Sequence, residues 1–565
     1  MRFASLPSRH VFLLCACLAA CGSDVAVPSD TSTDDTAVAD TAVADTTLAP
    51  DTATDDTSAD SAAPADTVAD SAIADDITDA ADTATADADA TADGDAGPSC
   101  TSPFIYMKDR QFMLGDEPYV PVSVNYIFDI RHDTDDHYYI APHSAFCTTP
   151  AGCCKDAPSC LAAAREQLAQ VKALGFNSLR IVGLAVIPED GNLVLDCAHQ
   201  WADWLDYCPK SAHLVMSPAD ERGFALIADA LALVKEAGLH AIFLAGHHDV
   251  DADGIRDEYA TYLTALAARF VDDPTIFAYD LTNEPVYEFA HKDIDKVDAN
   301  AIGRAWYDAV RAGSPRAMVT MGLAEMGTVR HWDPGALPLD FTSFHVYASG
   351  KWNDADRDYL SMFLAWAGRE PYPNMVGETG LSVEDGAPTE ADQAAFAQHA
   401  LTTAWDCGAM GLQWWLYRDV HWGPPGEHFG LVRWDGTARP AADAFGNFAA
   451  TFPRPTCVAP DYTGSAPDGP FVATGRLVRE NGTPVANGYV TGHRCAAGGW
   501  DWTISKADGT FELRSSYPVD QLEVTAAGLS LETPSAACNL VTPGDITLHA
   551  LPLSLSVSTP SSCPP

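Results

Sequence analysis

Two glutamates close apolar runs, in Asp280-Leu281-Thr282-Asn283-Glu284-Pro285 and in Val376-Gly377-Glu378-Thr379-Gly380, 94 residues apart. Two facing carboxyl groups are what cleavage of an acetal needs: one protonates the departing oxygen while the other attacks the anomeric carbon. Where the attacker forms a covalent glycosyl-enzyme, the two carboxyls stand roughly 5–5.5 Å apart. The acid must keep its proton near neutrality while its partner stays ionised, so their surroundings must differ. Further polar and aromatic residues close similar runs: Arg180 in Ser178-Leu179-Arg180-Ile181, the pair His247-His248, His345 and Tyr347 in Phe344-His345-Val346-Tyr347, and the pair Trp414-Trp415.

Residues so far apart can act together only on a scaffold that aligns the ends of their runs. Eight short apolar runs, at 120–126, 177–183, 241–246, 277–283, 317–322, 341–347, 374–377 and 411–416, alternate with helical stretches at 162–174, 220–237, 260–270, 299–312, 393–405 and 441–451. Parallel strands buried on both faces read as nearly continuous apolar runs, and strands alternating with helices make a βαβ pattern. Eight such units within residues 104–452 predict an α/β fold, a (β/α)8 TIM barrel, with its reactive groups at the C-terminal strand ends. Glu284 then tops strand four and Glu378 strand seven. Residues 127–157 and 189–217 read as insertions that follow strands and join the loops of the catalytic face. Trp201, Trp204, Tyr207, Trp352, Trp422 and Trp434 fall in such loops, to stack on sugar faces or to pack the insertions together.

Asn283-Glu284-Pro285, Phe344-His345-Val346-Tyr347, Gly377-Glu378 and Gly411-Leu412-Gln413-Trp414-Trp415, in this order and on strands four, six, seven and eight, resemble clan A glycoside hydrolases, most closely glycoside hydrolase family 5. The resemblance covers about residues 104–452. It implies that Glu284 is the acid/base and Glu378 the nucleophile of a retaining enzyme acting on a β-linked glucan or mannan. It further implies that Asn283 bonds the sugar 2-hydroxyl, that Tyr347 bonds the nucleophile, that His345 lies beside the acid/base and that Arg180 holds Glu378 ionised. His247 would serve the glycone subsite, and Trp415 would form the platform under the ring. Along a strand only one of two adjacent side chains faces inward, so His247 is taken over His248, and Trp415 over a core Trp414. This chemistry needs no cofactor and no metal, although a calcium ion in the acidic loop 249–253 is an alternative to simple solvation there.

The flanks differ in kind. Arg2 and Arg9 precede an apolar run at 11–20 that is too short to span a bilayer. Leu18-Ala19-Ala20-Cys21 resembles the lipobox of bacterial lipoproteins, which implies acylation at Cys21; Gly22 after it implies outer-membrane export. Residues 1–21 are thus expected to be a signal peptide of an exported, outer-membrane or cell-surface lipoprotein of a Gram-negative-type bacterium, the alternative being a secreted protein. Residues 22–99 hold 20 Asp, no Glu, Lys or Arg and no aromatic residue, a composition that cannot build a packed core and predicts a disordered acidic linker. The barrel domain is placed at 100–456. Residues 457–565 carry short alternating runs and the turn signals Asn481-Gly482, Asp508-Gly509 and Gly544-Asp545, which predict a small all-β sandwich. Gly475-Arg476-Leu477-Val478, 483–490 and Ala507-Asp508-Gly509-Thr510-Phe511 resemble a carboxypeptidase regulatory-like β-sandwich.

A formal charge of −47 with no basic stripe speaks against nucleic acid as a partner. A carbohydrate substrate, a lipid anchor and a monomeric state are expected instead. Twelve cysteines follow Cys21, an even number that in an exported protein reads as disulfides. The pairs Cys197–Cys208 and Cys495–Cys538 are expected, with Cys147, Cys153, Cys154 and Cys160 closing on themselves or, less in keeping with export, holding zinc. Two other function classes compete. A metal-dependent barrel hydrolase would use His247, His248 and His345, but the His-x-His such enzymes carry at strand one is absent. A surface protein that binds glycan without turnover would need a degenerate site, and both carboxylates are present. Within the hydrolase reading, the alternative to internal cleavage is an exo-acting enzyme of an unusual glycan.

Overall fold

The computed structural model describes residues 100–565 apart from 135–136, 144–145, 147–153, 196–213, 219, 292, 349–351, 385, 421–427, 494–499, 532–543, 554–558, 560 and 564–565. Cys21, the linker, Cys147, Cys153, Cys197, Cys208, Cys495, Cys538, Trp201, Trp204, Tyr207 and Trp422 lie outside the described residues.

Eight parallel strands close into a barrel: Val122–Thr134, Ser178–Val182, His240–Leu244, Ile276–Asn283, Met318–Ala324, Thr342–His345, Asn374–Thr379 and Leu412–Trp414. Strand eight returns to strand one in the register Leu412↔Val122, Gln413↔Ser123, Trp414↔Val124, which makes the ring continuous. The TIM barrel is thus the observed fold. Helices Ala157–Ala173, Glu221–Glu236, Arg256–Arg269, Lys296–Gly313, Asp354–Arg369 and Glu390–Asp406 return the chain between strands. Asp156, Asp220, Asp295, Asn353 and Thr389 start five of them by accepting backbone N–H bonds that the first turn would otherwise leave open. The sequence pattern overlooks helix Asp354–Arg369, where charged residues interrupt the apolar face. The final helix is shorter than the run at 441–451 suggests, covering Ala442–Gly446.

Polarity changes along the barrel axis. The N-terminal end is apolar: Ile242, Ala278, Met318, Met375 and Met410 pack against Ile105, Met107 and Phe112. The last three come from a hairpin, Ile105–Lys108 with Gln111–Leu114, that plugs this end. Phe112 is fully buried, with edge contacts to Phe277 at 5.6 Å and Phe341 at 5.0 Å; such an aromatic contributes about 1.5–3 kcal/mol through burial. Above this plug the interior becomes polar, with Ser123, Ser178, Asn125, Arg180 and Asp280 all buried.

The described parts of the two insertions include short strands. Strand one runs on past the barrel and pairs with His137–Pro142 in antiparallel register, and Val186–Glu189, Asn192–Leu195 and Leu214–Val215 form a separate small sheet. The C-terminal region forms two sheets. One orders Thr510–Ser515, Phe471–Arg479, Asp545–Ala550 and Leu529–Ser530; the other orders Trp500–Ile504, Tyr489–His493 and Gln521–Thr525. Leu477, Leu513 and Leu548 from the first and Val490, Leu522 and Val524 from the second share one core. This region is bonded to the barrel's outer shell. The buried Lys296 ammonium gives its three donors to Asp333 Oδ2 at 2.7 Å, Ala526 O at 3.1 Å and Leu529 O at 2.8 Å. Trp366 Nε1 donates to Asn487 O at 3.1 Å. Disulfides Cys100–Cys563, Cys407–Cys457 and Cys154–Cys160 are present. The last closes part of the expected cysteine cluster, whereas the other two join partners too distant in sequence for spacing to suggest. Among the described residues no helix is long and apolar enough to cross a membrane.

Candidate active site

At the C-terminal end of the barrel, side chains from strands one, two, four, six and seven meet around one guanidinium. Strands two and seven are not neighbours in the ring, so their side chains reach each other only through its interior. Arg180 is fully buried. Its Nε donates to Asp280 Oδ2 at 2.8 Å, Nη1 to Glu378 Oε1 at 2.5 Å and to Asn125 Oδ1 at 3.2 Å, and Nη2 to Asn283 Oδ1 at 3.0 Å. A guanidinium has only donors in a fixed planar fork, so it dictates the orientation of all four partners. Charge-assisted bonds of this kind offset the desolvation of the buried ions, and removing one partner of such a pair typically costs about 3–5 kcal/mol.

Glu378 is buried at the end of strand seven, and Tyr347 donates its hydroxyl to Glu378 Oε2 at 2.8 Å. Glu284 follows strand four with a left-handed φ of +34°, at the start of a short helix, Pro285–Glu288. Non-glycine residues are rarely held there, and such strain clusters at functional sites. One carboxylate oxygen of Glu284 and one of Glu378 lie within 4.8 Å of each other. His345 Nδ1 stands 2.8 Å from Glu284 Oε1 and 3.7 Å from Glu378 Oε2. Gly322 makes room for this ring and for Arg180: an ideal Cβ at that position would sit 2.8 Å from His345 Nε2 and 3.2 Å from Arg180 Nη2.

The electrostatics separate the two carboxyls. Burial pushes Glu284 up to about 7, against the pull of the Arg180 charge. Glu378 instead bonds the guanidinium directly and accepts a hydrogen bond from a phenol. Burial pushes His345 down to about 4, so its imidazole is neutral around neutral pH. A carboxyl that burial helps to keep its proton and a carboxyl bonded to a guanidinium therefore face each other, with oxygens within 4.8 Å.

Asp280 was not singled out in sequence. It sits in an apolar strand, and a buried charge there requires a partner; that signal could have found it. Simple alternation could not have placed Asp280, Asn283 and Glu284 at one site, because the register shifts between Asp280 and Asn283. The histidine pair needs a correction. Strand three ends at Leu244, before the pair, and His248 and Asp249 have φ of +37° and +42°. Inward–outward alternation therefore does not apply, and both rings turn to one carboxylate: Glu288 Oε2 lies 3.3 Å from His247 Nδ1 and 3.8 Å from His248 Nδ1. Glu288 itself carried no sequence signal. Trp414 is buried in the core against Phe396 and Phe445, while Trp415 is partly exposed. Of the two alternatives open for Trp352, it takes packing, being buried against Phe396 and His399. Trp434 is partly buried with its ring 4.8 Å from His428. In the acidic loop, Asp251 is fully buried and accepts backbone N–H bonds from Ala290 and His291 at 3.0 and 2.9 Å, so it ties the segment after strand four in place.

Residues 152–417 match the family model described as cellulase (glycosyl hydrolase family 5). Among solved structures, similarity extends to a GH5_18 protein from Streptomyces cattleya in complex with GlcNAc, at 18% identity over 51% of this chain and 74% of that one, with a TM-score of 0.39. It extends also to an exo-β-1,4-mannosidase from Opitutaceae bacterium strain TAV5, at 17% identity over 60% of each chain, with a TM-score of 0.44. No curated protein matches the chain.

Proposed function

We propose that the protein is a retaining glycoside hydrolase cleaving a β-linked glucan or mannan by double displacement, a reading supported by the match of residues 152–417 to the family model described as cellulase (glycosyl hydrolase family 5). The observation that carries this reading is the pair of carboxyls with oxygens within 4.8 Å, one that burial helps to keep its proton and one bonded to a guanidinium. Glu378 attacks the anomeric carbon as the glycosidic bond breaks, and Glu284 gives its proton to the departing oxygen. Glu284, now ionised, takes a proton from water, which attacks the same carbon and releases Glu378. Arg180 and Tyr347 orient the nucleophile, Asn283 bonds the 2-hydroxyl, His247 serves the glycone subsite and Trp415 lies under the ring.

A second reading, exo action, is favoured by the sheet spanning 186–215. His247 N–H donates to Val186 O at 2.9 Å, which sets that sheet directly beside the proposed glycone subsite, where it would close the cleft to longer chains. A panel of β-glucans and β-mannans tests both, with products resolved by size and by anomeric configuration in NMR. Retained configuration is expected; inversion overturns the mechanism. A mixture of oligosaccharides indicates internal cleavage, and release of a single small sugar indicates exo action.

We further propose that acyl chains on Cys21 hold the enzyme at the outer membrane, with the acidic stretch 22–99 as tether, a reading supported by the order of charge, apolar run, small residues and cysteine. Metabolic labelling with a palmitate analogue is expected to mark the protein and to leave the Cys21→Ser variant unmarked; equal labelling of both overturns it.

A further inference from the structure

Glu288 ends the short helix that Glu284 begins, and neither displacement step uses it. We propose that Glu288, seated between His247-His248 and Asn283, is a positioning residue that fixes the Asn283 amide so that one of its N–H groups points at the sugar 2-hydroxyl. The inference rests on the hydrolase reading above and adds to it a residue that sets recognition at the 2-position.

The amide's orientation follows from donors and acceptors alone. Arg180 only donates, so the oxygen of Asn283 must face Nη2, at 3.0 Å. The NH2 group is thereby turned toward Glu288 Oε1, 3.2 Å away. One of its hydrogens is used there, which leaves the other for a ligand. With Glu288 removed, a single contact holds the amide, and the terminal torsion of an asparagine is soft. The far oxygen of Glu288 lies beside both imidazoles, 3.3 Å from His247 Nδ1 and 3.8 Å from His248 Nδ1. A continuous polar chain therefore runs from the histidine pair through Glu288, Asn283 and Arg180 to Glu378. Burial pushes the Glu288 carboxyl well above the usual carboxylate range. Protonated on the oxygen that faces the imidazoles, the carboxyl would still accept from Asn283 through the other. Glutamine reproduces that arrangement: its carbonyl can accept from Asn283 and its amide can donate to an imidazole nitrogen.

The test compares full-length wild type, Glu288→Ala and Glu288→Gln on two aryl β-glycosides that share an aglycone and differ only in the 2-hydroxyl. For Glu288→Ala, kcat/KM is expected to fall about 10- to 100-fold on the 2-hydroxy substrate and less than about 3-fold on the 2-deoxy one. Glu288→Gln is expected to stay within about 3-fold of wild type on both. Because each enzyme is read as a ratio between two substrates, any loss of folded protein cancels. Equal losses on the two substrates, or a glutamine variant as impaired as the alanine one, overturn the role. Wild-type turnover of the 2-hydroxy glycoside tests the underlying reading separately, since without it the hydrolase assignment fails whatever Glu288 does.

Discussion

Glu378→Ala is expected to abolish turnover, lowering kcat by at least about 10⁴-fold, equivalent to more than about 5 kcal/mol of activation free energy. The size follows from the role: without the carboxylate no covalent intermediate forms, and water has no activated route to the anomeric carbon from that face. The fold should survive. Arg180 keeps Asp280, Asn125 and Asn283 as acceptors, so its charge remains paired, and the shortened side chain opens space at the polar, substrate-facing end of the barrel. That space allows a chemical rescue. Azide at high concentration should enter it and attack the anomeric carbon as Glu284 protonates the leaving oxygen, giving a glycosyl azide of inverted configuration. The checks are the circular dichroism melt of the variant, its residual rate, and NMR of the azide product. Residual activity of more than a few per cent would remove Glu378 from the nucleophile's role.

The second large effect concerns Glu284. Removing a positioned general acid typically costs about 10²- to 10⁴-fold, and the cost depends on how much the leaving group needs the proton. Glu284→Ala should therefore lose most of its activity on natural glycan while sparing an activated aryl glycoside. The pH dependence follows from the environment. Burial raises this carboxyl to about 7, so it is protonated and able to act below that pH. As pH rises through 7 the proton is lost and wild-type kcat/KM falls. The variant has no such group, and the basic limb of its profile should vanish. Equal losses on good and poor leaving groups, or an unchanged basic limb, would show that Glu284 is not the acid. His345 cannot supply that limb in its place, because burial holds it neutral down to about 4.

The readable part of the site was the part that local chain geometry controls. Glu284 and Glu378 end apolar strands, and the strand count puts them on four and seven whatever the side chains do next. Arg180, Asn283, His345 and Tyr347 were singled out through the resemblance to glycoside hydrolase family 5. The barrel was legible as a period, because eight apolar runs separated by helices have one common closed solution. What escaped were interactions that arise only when distant segments meet. Asp280 looked like part of a strand until Arg180 met it inside the barrel, and Glu288 carried no signal until the turn at His248 and Asp249 set both imidazoles beside it. Trp352 was left between sugar stacking and packing, and it packs, against Phe396 and His399 of helix Glu390–Asp406.

From the amino-acid order alone came the strand periodicity, the placement of two carboxylates at strand ends and the contrast between a core-forming chain and an acidic stretch that cannot form one. These depend on near neighbours and on composition, which any reader of the chain possesses. Only the tertiary structure decided how far each carboxyl is removed from water, which further groups bond the guanidinium, and which way the Asn283 amide faces. Those properties depend on solvent exclusion and on hydrogen-bond partners up to 198 residues away, as for Arg180 and Glu378, and neither exists until the barrel has closed.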